Sequence, residues 1–337
     1  MQQLLKTLYI TEEMQIKPSV EAMEIIRTNN ERKIRIPYHM IESMCIFGKT
    51  NIEDAVLSKC MQYGIGIYVL TQNGKFRYSI QGPTRGNVLL RKRQYLLSES
   101  CERLKIATEI IRAKIKNGYM VLQRFQRNHP EINFTDTIQK LKKVLEGVSL
   151  CTTVDELRGK EGEAARIYFS VFDQMILVRN PEMRFRARSK RPPEDRCNAL
   201  LSFVYTLLTT ECIHALECKG MDPYVGFIHG DRPGKPSLAL DLMEELRPMI
   251  ADRFVIKLIN RKIISLDMFE ERGDGVYLNS EGKTIVLREW AQMKNKEIIY
   301  FEKDEKIPRG LVPYVQASVL SSVLRGEKEA YKAYDWR

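Results

Sequence analysis

Two short stretches carry residue types at spacings that could do chemistry. The first is Leu157-Arg-Gly-Lys-Glu161-Gly-Glu-Ala-Ala165-Arg-Ile-Tyr168-Phe169. In a helix, offsets of four and seven residues return close to one face, so Glu161, Ala165 and Tyr168 align. Ala164 and Ala165 leave room beside the carboxylate for another backbone or a substrate. Gly162 costs such a helix about 1 kcal/mol relative to Ala, and close approach of a neighbour would explain it. A tight helix crossing with Glu161 in solvent fits the same pattern.

The second stretch is Gly226-Phe-Ile-His229-Gly-Asp-Arg-Pro-Gly-Lys-Pro-Ser237-Leu-Ala-Leu-Asp241-Leu-Met-Glu244-Glu245. His229 ends an apolar run and opens a loop of Gly, Pro and Asp. Ser237 is expected to cap the helix that follows. On that helix Leu238, Leu242 and Leu246 form the buried stripe, and Asp241 and Glu244 lie about 60° apart on one flank. One imidazole at a loop edge and two acids on an adjoining helix can converge on a divalent ion. Oxygen ligands with one imidazole suit Mg²⁺ or Mn²⁺ better than structural zinc. Helix capping and surface charge are the plainer reading of the same residues.

Other chemistries fit less well. Gly230-x3-Gly234-Lys235 has one residue too few between its glycines for a phosphate loop, and Pro236 stands where Ser or Thr should hold magnesium. No GxSxG occurs, and Cys151 has no sequence-visible partner for nucleophilic catalysis. In Cys212-x-His214-x3-Cys218, Cys212 lies about 200° from His214 on a helix, so three ligands do not converge. Structural roles are expected for His39, His129 and His214. The seven cysteines are scattered and form no CxxC, which points to reduced thiols.

The elements that must position these residues divide into two parts. LKTLYI, IRIPYHM and GIGIYVL read as strands, and GIGIYVL-TQNG-KFRYSI reads as a hairpin turning at Asn73-Gly74. Asn29-Asn30 is a weaker turn signal. SVEAMEIIR and NIEDAVLSKCMQYG are expected as helical interruptions. Gln81-Gly82-Pro83 breaks the pattern. Beyond it, Leu104, Ala107, Ile111 and Ile115 form a helical stripe. TDTIQKLKKVLEGV, residues 154 to about 179, Asn198–Cys218 and VPYVQASVLSSVLRG also read as helices. GVYLNSEGKTIVL is expected to be a short hairpin with Glu281-Gly282 at its turn. The expected fold class is α+β, with a small β-rich N-terminal domain (1–82) and a larger, mainly helical catalytic domain (83–337).

Composition narrows the class further. With 44% hydrophobic and 29% charged residues in 337, the chain is neither disordered, collagenous nor a simple coiled coil. The longest nearly apolar run, Ala199 to Leu208, is too short for a bilayer. MQQLLKTLYI shows no secretion signal, so a cytoplasmic location is expected. The net charge is +11, and residues 81–130 hold most of the excess, with 11 basic against 3 acidic side chains. Arg91-Lys92-Arg93 and the basic positions that follow, with a second cluster from Arg184 to Arg196, point to a polyanion such as nucleic acid.

Taken together, IPYHMIESMCIFG, TQNGKFRYSIQGPTRGNVLLRKRQY, LRGKEGEAARIYF, RSKRPPEDRCNALLSFVYTLL and GMDPYVGFIHGDRPGKPSLALDLMEELRP resemble one family. It is the Cas-one DNA endonuclease and integrase of CRISPR adaptation, in a form similar to subtype I-C. The resemblance covers nearly the whole chain, more loosely after about residue 250, and departs near Tyr300-Phe301, where relatives often carry His-Pro. It implies metal ligation and catalysis by Glu161, His229 and Glu244. Asp241 is implied as accessory or alternative ligand, and Glu244 stands where many relatives have Asp. Mg²⁺ or Mn²⁺ is the implied cofactor. The implied partners are double-stranded DNA (prespacer and CRISPR repeat), a second copy of the chain docked through the β domain, and the small Cas-two protein in a heterohexamer. No membrane partner is expected. The implied reaction inserts short foreign DNA by 3′-hydroxyl transesterification. Tyr168 is expected to guide the DNA end, and Arg85, Arg91, Lys92, Arg93, Arg184, Arg186, Arg188, Lys190 and Arg191 to bind DNA. The basic segment then reads as a DNA-holding surface distinct from the acidic site. A structure-selective repair nuclease and a non-catalytic nucleic-acid scaffold remain as alternatives.

Overall fold

A computed structural model describes residues 6–27, 33–47, 49–71, 76–82, 87–189, 192–300 and 305–336. The chain divides into two compact units: Met1–Arg85 with Leu278–Ile298 and Pro308–Gly310, and Gly86–Tyr277 with Ile299–Ile307 and Leu311–Arg337. The architecture is α+β, β-rich at the N-terminal side and helical beyond it.

The first unit is built from β1 (Lys6–Ile10), β2 (Met14–Ser19), β3 (Ala22–Arg27), β4 (Lys33–Pro37), β5 (Ile41–Phe47), β6 (Asn51–Ile52), α1 (Asp54–Gln62), β7 (Gly66–Leu70) and β8 (Phe76–Ile80). One sheet has the order β1-β5-β7-β8 and the other β4-β3-β2-β6. All five residues of β7 are buried, as expected for a strand covered on both faces. Ile10, Ile16, Met23, Met44, Cys60 and Ile67 join the two sheets and α1 in one core. Burial pushes the Cys60 thiol up to about 12, so it behaves as a packed apolar group.

SVEAMEIIR is not helical. It forms the β2–β3 hairpin, paired from Met14↔Arg27 to Ser19↔Ala22. Ala22, Met23, Ile25 and Ile26 satisfy both periods; β2 on one side and β4 on the other decide for strand. The β7–β8 hairpin is antiparallel as expected, with Ile67 opposite Ile80. Its Asn73-Gly74 turn, the Asn29-Asn30 turn and Pro83 lie outside the described residues.

The second unit contains α2 (Val88–Glu99), α3 (Arg103–Asn128), α4 (Thr135–Val148), α5 (Val154–Ser170), α6 (Arg196–Cys218), α7 (Ser237–Leu246) and α8 (Arg253–Asn260). The 26-residue α3 packs against α4, α5 and α7, while α6 packs against α7. Thr153 caps α5 by accepting from Glu156 N, and Asp195 caps α6 by accepting from Asn198 N. At 23 residues α6 is long and apolar enough to cross a membrane by length and composition, longer than the apolar run read from sequence. It is instead a core helix, with 78% of its most apolar window buried.

After α8 come β9 (Phe269–Arg272), β10 (Gly275–Leu278), α9 (Ser280–Lys294), β11 (Glu297–Tyr300), β12 (Glu305–Pro308) and α10 (Val312–Leu324). The hairpin expected at Glu281-Gly282 lies one element earlier, between β9 and β10, where Gly273 has φ +58°. Asn279 overrides the turn signal: its side chain accepts from Gly282 N and starts α9. Helix α9 belongs to the first unit, where Lys294 Nζ donates to Thr7 Oγ1 at 2.9 Å.

Ile67 is fully buried in the middle of the first sheet, whereas Val20 at the β2–β3 turn is 81% exposed. Ile67→Ala should lower stability by about 2–5 kcal/mol in chemical denaturation, and Val20→Ser should stay within about 0.5 kcal/mol of wild type.

Candidate active site

Three helices and one loop of the second unit bring the chemically interesting side chains together. Helix α3 supplies Lys114, α5 supplies Arg158 and Glu161, α7 supplies Asp241 and Glu244, and the loop before α7 supplies His229. The ammonium of Lys114 lies 2.6 Å from Glu244 Oε2 and also pairs with Glu161 Oε1. Two carboxylates from different helices therefore meet at one cation. Arg247 takes the other oxygen of Glu244, with Nη2 2.9 Å from Oε1.

Glu244 is buried, its side chain only 6% exposed. Burial alone would raise its carboxyl, but Arg247 and Lys114 more than offset this and bring it down to about 2. Arg247 is itself held by stacking on Tyr205, 4.6 Å from the ring centroid. The Tyr205 hydroxyl donates to Asp252 Oδ1 at 2.5 Å, and burial raises the Asp252 carboxyl to about 6.

Asp241 has no exposure, and donors surround both its oxygens. Oδ2 accepts from Phe227 N at 2.6 Å and Ile228 N at 2.9 Å; Oδ1 accepts from His229 N at 3.1 Å and His229 Nδ1 at 2.7 Å. Since the carboxylate accepts, Nδ1 carries the proton, and Nε2 of the neutral ring is left as the free lone pair. Asp241, expected as an accessory or alternative ligand, anchors the loop and orients the imidazole. Gly226 makes this approach possible, since a Cβ there would sit 2.7 Å from Asp241 Oδ2. From the other side Arg158 donates through Nε to Ile228 O at 2.9 Å, tying α5 to the loop.

Several expectations change in detail. Gly162 is exposed, and a Cβ at that position would meet nothing within 4 Å, so no close approach explains it. Ser237 is the first residue of α7 and not its cap; its hydroxyl donates to Gly230 O at 3.0 Å, closing the His229 loop. Tyr168 is buried at 6% exposure, edge-on to Phe169 and Phe172, with burial and the nearby Asp252 raising its hydroxyl well above the usual range.

The basic segment is not separate from the acidic site. Lys114 lies inside it, Lys116 pairs with Asp335 at 2.5 Å, Arg112 with Glu109 at 2.9 Å, and Arg124 stacks on Trp336. Lys114 and Lys116 are thus neutralised by acids from outside the segment, while most of the local charge excess is left. Lys92 and Arg93 on α2 and Arg186 are exposed, and Arg91 is half-buried. Arg184 is bonded to Asp173 and to Ile176 O, and Arg188 to Asn198 Oδ1 at 2.7 Å. Arg85, Lys190 and Arg191 lie outside the described residues.

Among the described residues no three His, Cys, Asp or Glu side chains close on one point as a finished metal cage. The donor set nevertheless fits a divalent ion. Two carboxylates already share one cation, and a locked imidazole lies in the electrostatic field of Glu244.

The sequence profile of the family described as CRISPR associated protein Cas1 matches residues 8–292. The chain belongs to the Cas1 family. CRISPR-associated endonuclease Cas1 2 of Rhodospirillum rubrum is 41% identical over 347 residues, covering 100% of both chains. CRISPR-associated endonuclease Cas1 1 of Chlorobaculum tepidum is 38% identical over 343 residues, again covering 100% of both. Among solved structures, a casposase bound to its integration product superposes with a TM-score of 0.87 at 25% identity, over 99% of this chain and 95% of that one. A Cas1 protein from Thermotoga maritima shares the fold with a TM-score of 0.82 at 21% identity, over 99% and 100%. In this chain the fold it shares with those structures brings together the Lys114-bridged carboxylates and the Asp241-anchored imidazole.

Two outcomes follow from this geometry. Glu244 has a carboxyl below its ordinary 4.5, so its ion pairs stabilise fully above pH 4.5 and fade as pH falls toward 2. The stability gap between wild type and Glu244→Gln, read from urea midpoints, should be constant from pH 5 upward (roughly) and narrow at about pH 3.5. Asp241→Asn turns an acceptor into a partial donor facing N–H groups and frees the His229 ring. DNA cleavage by that variant should fall roughly 10–100-fold, measured on a labelled duplex.

Proposed function

We propose that this Cas1-family chain is a divalent-metal-dependent DNA endonuclease and integrase of CRISPR adaptation, of subtype I-C. The observation that carries this reading is the convergence of Glu161 and Glu244 on one cation. Beside them, Asp241 holds His229 with Nε2 free. Support also comes from the superposition on a casposase bound to its integration product.

Glu161, His229 and Glu244 would hold Mg²⁺ or Mn²⁺, with Asp241 acting behind His229. Such an ion supplies polarisation of the scissile phosphate and stabilisation of charge on the leaving oxygen. The protein's own contribution is positional. Arg247 keeps Glu244 ionised and fixed, Asp241 and Gly226 set the plane of the imidazole, and Arg158 holds the loop against α5. A DNA 3′-hydroxyl attacks a phosphodiester at the repeat boundary. One P–O bond forms as another breaks, and no covalent enzyme intermediate arises. Water in place of that hydroxyl gives cleavage from the same site.

DNA phosphates would lie along Lys92, Arg93 and Arg186, which are exposed, with Arg85, Arg91, Arg184, Arg188, Lys190 and Arg191 as further basic positions. Tyr168 would act from behind the site, near Asp252, to set the path of the DNA end. The β-rich region, residues 1–82, would pair two copies of the chain. Two such dimers would flank a Cas2 dimer in a heterohexamer working in the cytoplasm.

The deciding assay is strand transfer and disintegration with Mn²⁺ on a branched repeat substrate. Wild type should join strands to target DNA, and His229→Ala should lose joining by about 10²-fold or more while still binding DNA. Shortened strands without joined products would favour a repair nuclease. Unchanged activity in His229→Ala and Glu161→Ala would leave a non-catalytic scaffold.

A further inference from the structure

We propose that Lys114 is a resident counter-ion of the active site, displaced by the divalent ion and then turned toward the DNA phosphate. This rests on the assignment of Glu161 and Glu244 as metal ligands. The side chain is 11% exposed and reaches from α3 to carboxylates on α5 and α7. Those two carboxylates are its ion-pair partners among the described residues. Arg247, the other cation on Glu244, is also packed on Tyr205 and so has a second reason to stay. Lys114 has none of that planar packing; it is a point charge on a flexible four-carbon stem.

The oxygens Lys114 occupies are the ones a divalent ion would need. Both cannot be served at once, since an ammonium and a divalent ion at the same oxygens repel one another strongly. The ammonium must withdraw, and its stem keeps it within a few ångströms of the place it left. Glu161 and His229, 30% and 27% exposed, mark the open side, whereas Glu244 is closed off. A displaced ammonium therefore moves toward that open side, where the proposed function would place a DNA phosphate.

Charge balance gives the displacement a consequence. Without the ion, Glu161 and Glu244 are matched by Lys114 and Arg247, and the group offers a phosphate no net attraction. Entry of a divalent ion makes the same group doubly positive and releases one mobile cation. The site becomes attractive to a phosphodiester only after the ion has bound, so the ion should precede the DNA. In its metal-free form Lys114 also suppresses repulsion between the two carboxylates, which stabilises the three-helix junction.

The test uses the full chain without DNA, with Mn²⁺ as probe. Calorimetry should show Lys114→Met binding Mn²⁺ about tenfold or more tighter than wild type, because no internal cation has to be expelled. Lys114→Arg should bind no tighter than wild type. Strand transfer should move the opposite way, slower in Lys114→Met despite the tighter ion, a pair of signs that a merely structural lysine would not produce. In wild type, amine-labelling mass spectrometry should find Lys114 more reactive once Mn²⁺ is added, a readout that holds even if the Met variant fails to fold. The proposal is overturned if wild type binds Mn²⁺ through Glu161 and His229 while Lys114→Met binds no tighter, or if Mn²⁺ leaves Lys114 labelling unchanged. If Glu161→Ala and His229→Ala do not alter Mn²⁺ binding at all, the metal-site assignment falls and this proposal with it.

Discussion

Burial of the Glu244 carboxylate is the constraint on which the helical unit depends. Taking one charge out of water costs several kcal/mol (roughly), and the cost is offset only by close, well-oriented partners. Lys114 and Arg247 supply them at 2.6 and 2.9 Å, one on each oxygen. Each partner commits another part of the unit. Lys114 commits α3 and, through its second contact, Glu161 on α5. Arg247 commits the Tyr205 face of α6 and hence the Tyr205–Asp252 hydrogen bond. The packing of α3, α5, α6 and α7 is thus organised around a charge that an apolar core would not tolerate.

A second carboxylate, Asp241, solves a different problem one helical turn away. Loops that carry functional residues leave backbone N–H groups without helix or sheet partners. Three consecutive amides, from Phe227 to His229, find theirs in Asp241. The same oxygens then hold the ring of His229, so loop shape and imidazole orientation share one cause. Gly226 is required there by contact distance, not by backbone angle. Ser237 adds a third fastening, from the first turn of α7 back to Gly230.

Local signals in the sequence were legible where one element decided its own form. Helix α4 spans Thr135–Val148, the same residues that its amphipathic period marks. Helices α6 and α10 likewise follow from pattern, as does the β7–β8 hairpin, whereas α5 stops at Ser170, well short of the end expected near residue 179, and gives way to the short turn Phe172–Met175. What failed was set by distant partners or by a cap. Residues 19–27 took the strand period because β2 and β4 were there to pair with, and Asn279 made a helix of a segment that reads as a turn. In the site, Glu161, His229 and Glu244 were visible as motif residues. Lys114 was not, because nothing in a helix rich in Lys and Arg says which one turns inward. Arg158 was hidden because its partner is 70 residues away, and Arg247 because its nearby partner, Glu244, is buried, which the sequence does not announce. The seven-residue tail, YKAYDWR, had no readable role at all.

That tail explains why adjacent acids on α7 behave so differently. Glu244 and Glu245 are both buried, yet burial raises the carboxyl of Glu245 to about 7 while that of Glu244 is about 2. One step along a helix turns a side chain by about 100°, so the two face different neighbours. Glu244 meets two cations. Glu245 meets neutral donors: Gln316 Nε2 and the Tyr331 hydroxyl, each at 2.9 Å on Oε1, and Tyr334 N at 3.1 Å on Oε2. Those bonds lower its carboxyl without overcoming burial. Asn117, on the same helix as Lys114, donates to both Glu245 O and Tyr334 O at 2.8 Å and accepts from Trp336 N. The tail is therefore stitched to α7 and α3 by these hydrogen bonds behind the charged cluster, and to α3 also by the Lys116–Asp335 ion pair. Since the donors on Glu245 are neutral and the Lys116–Asp335 pair sums to zero, the tail can hold α7 in place without adding net charge to the balance between Glu161, Glu244, Lys114 and Arg247 on which ion binding depends.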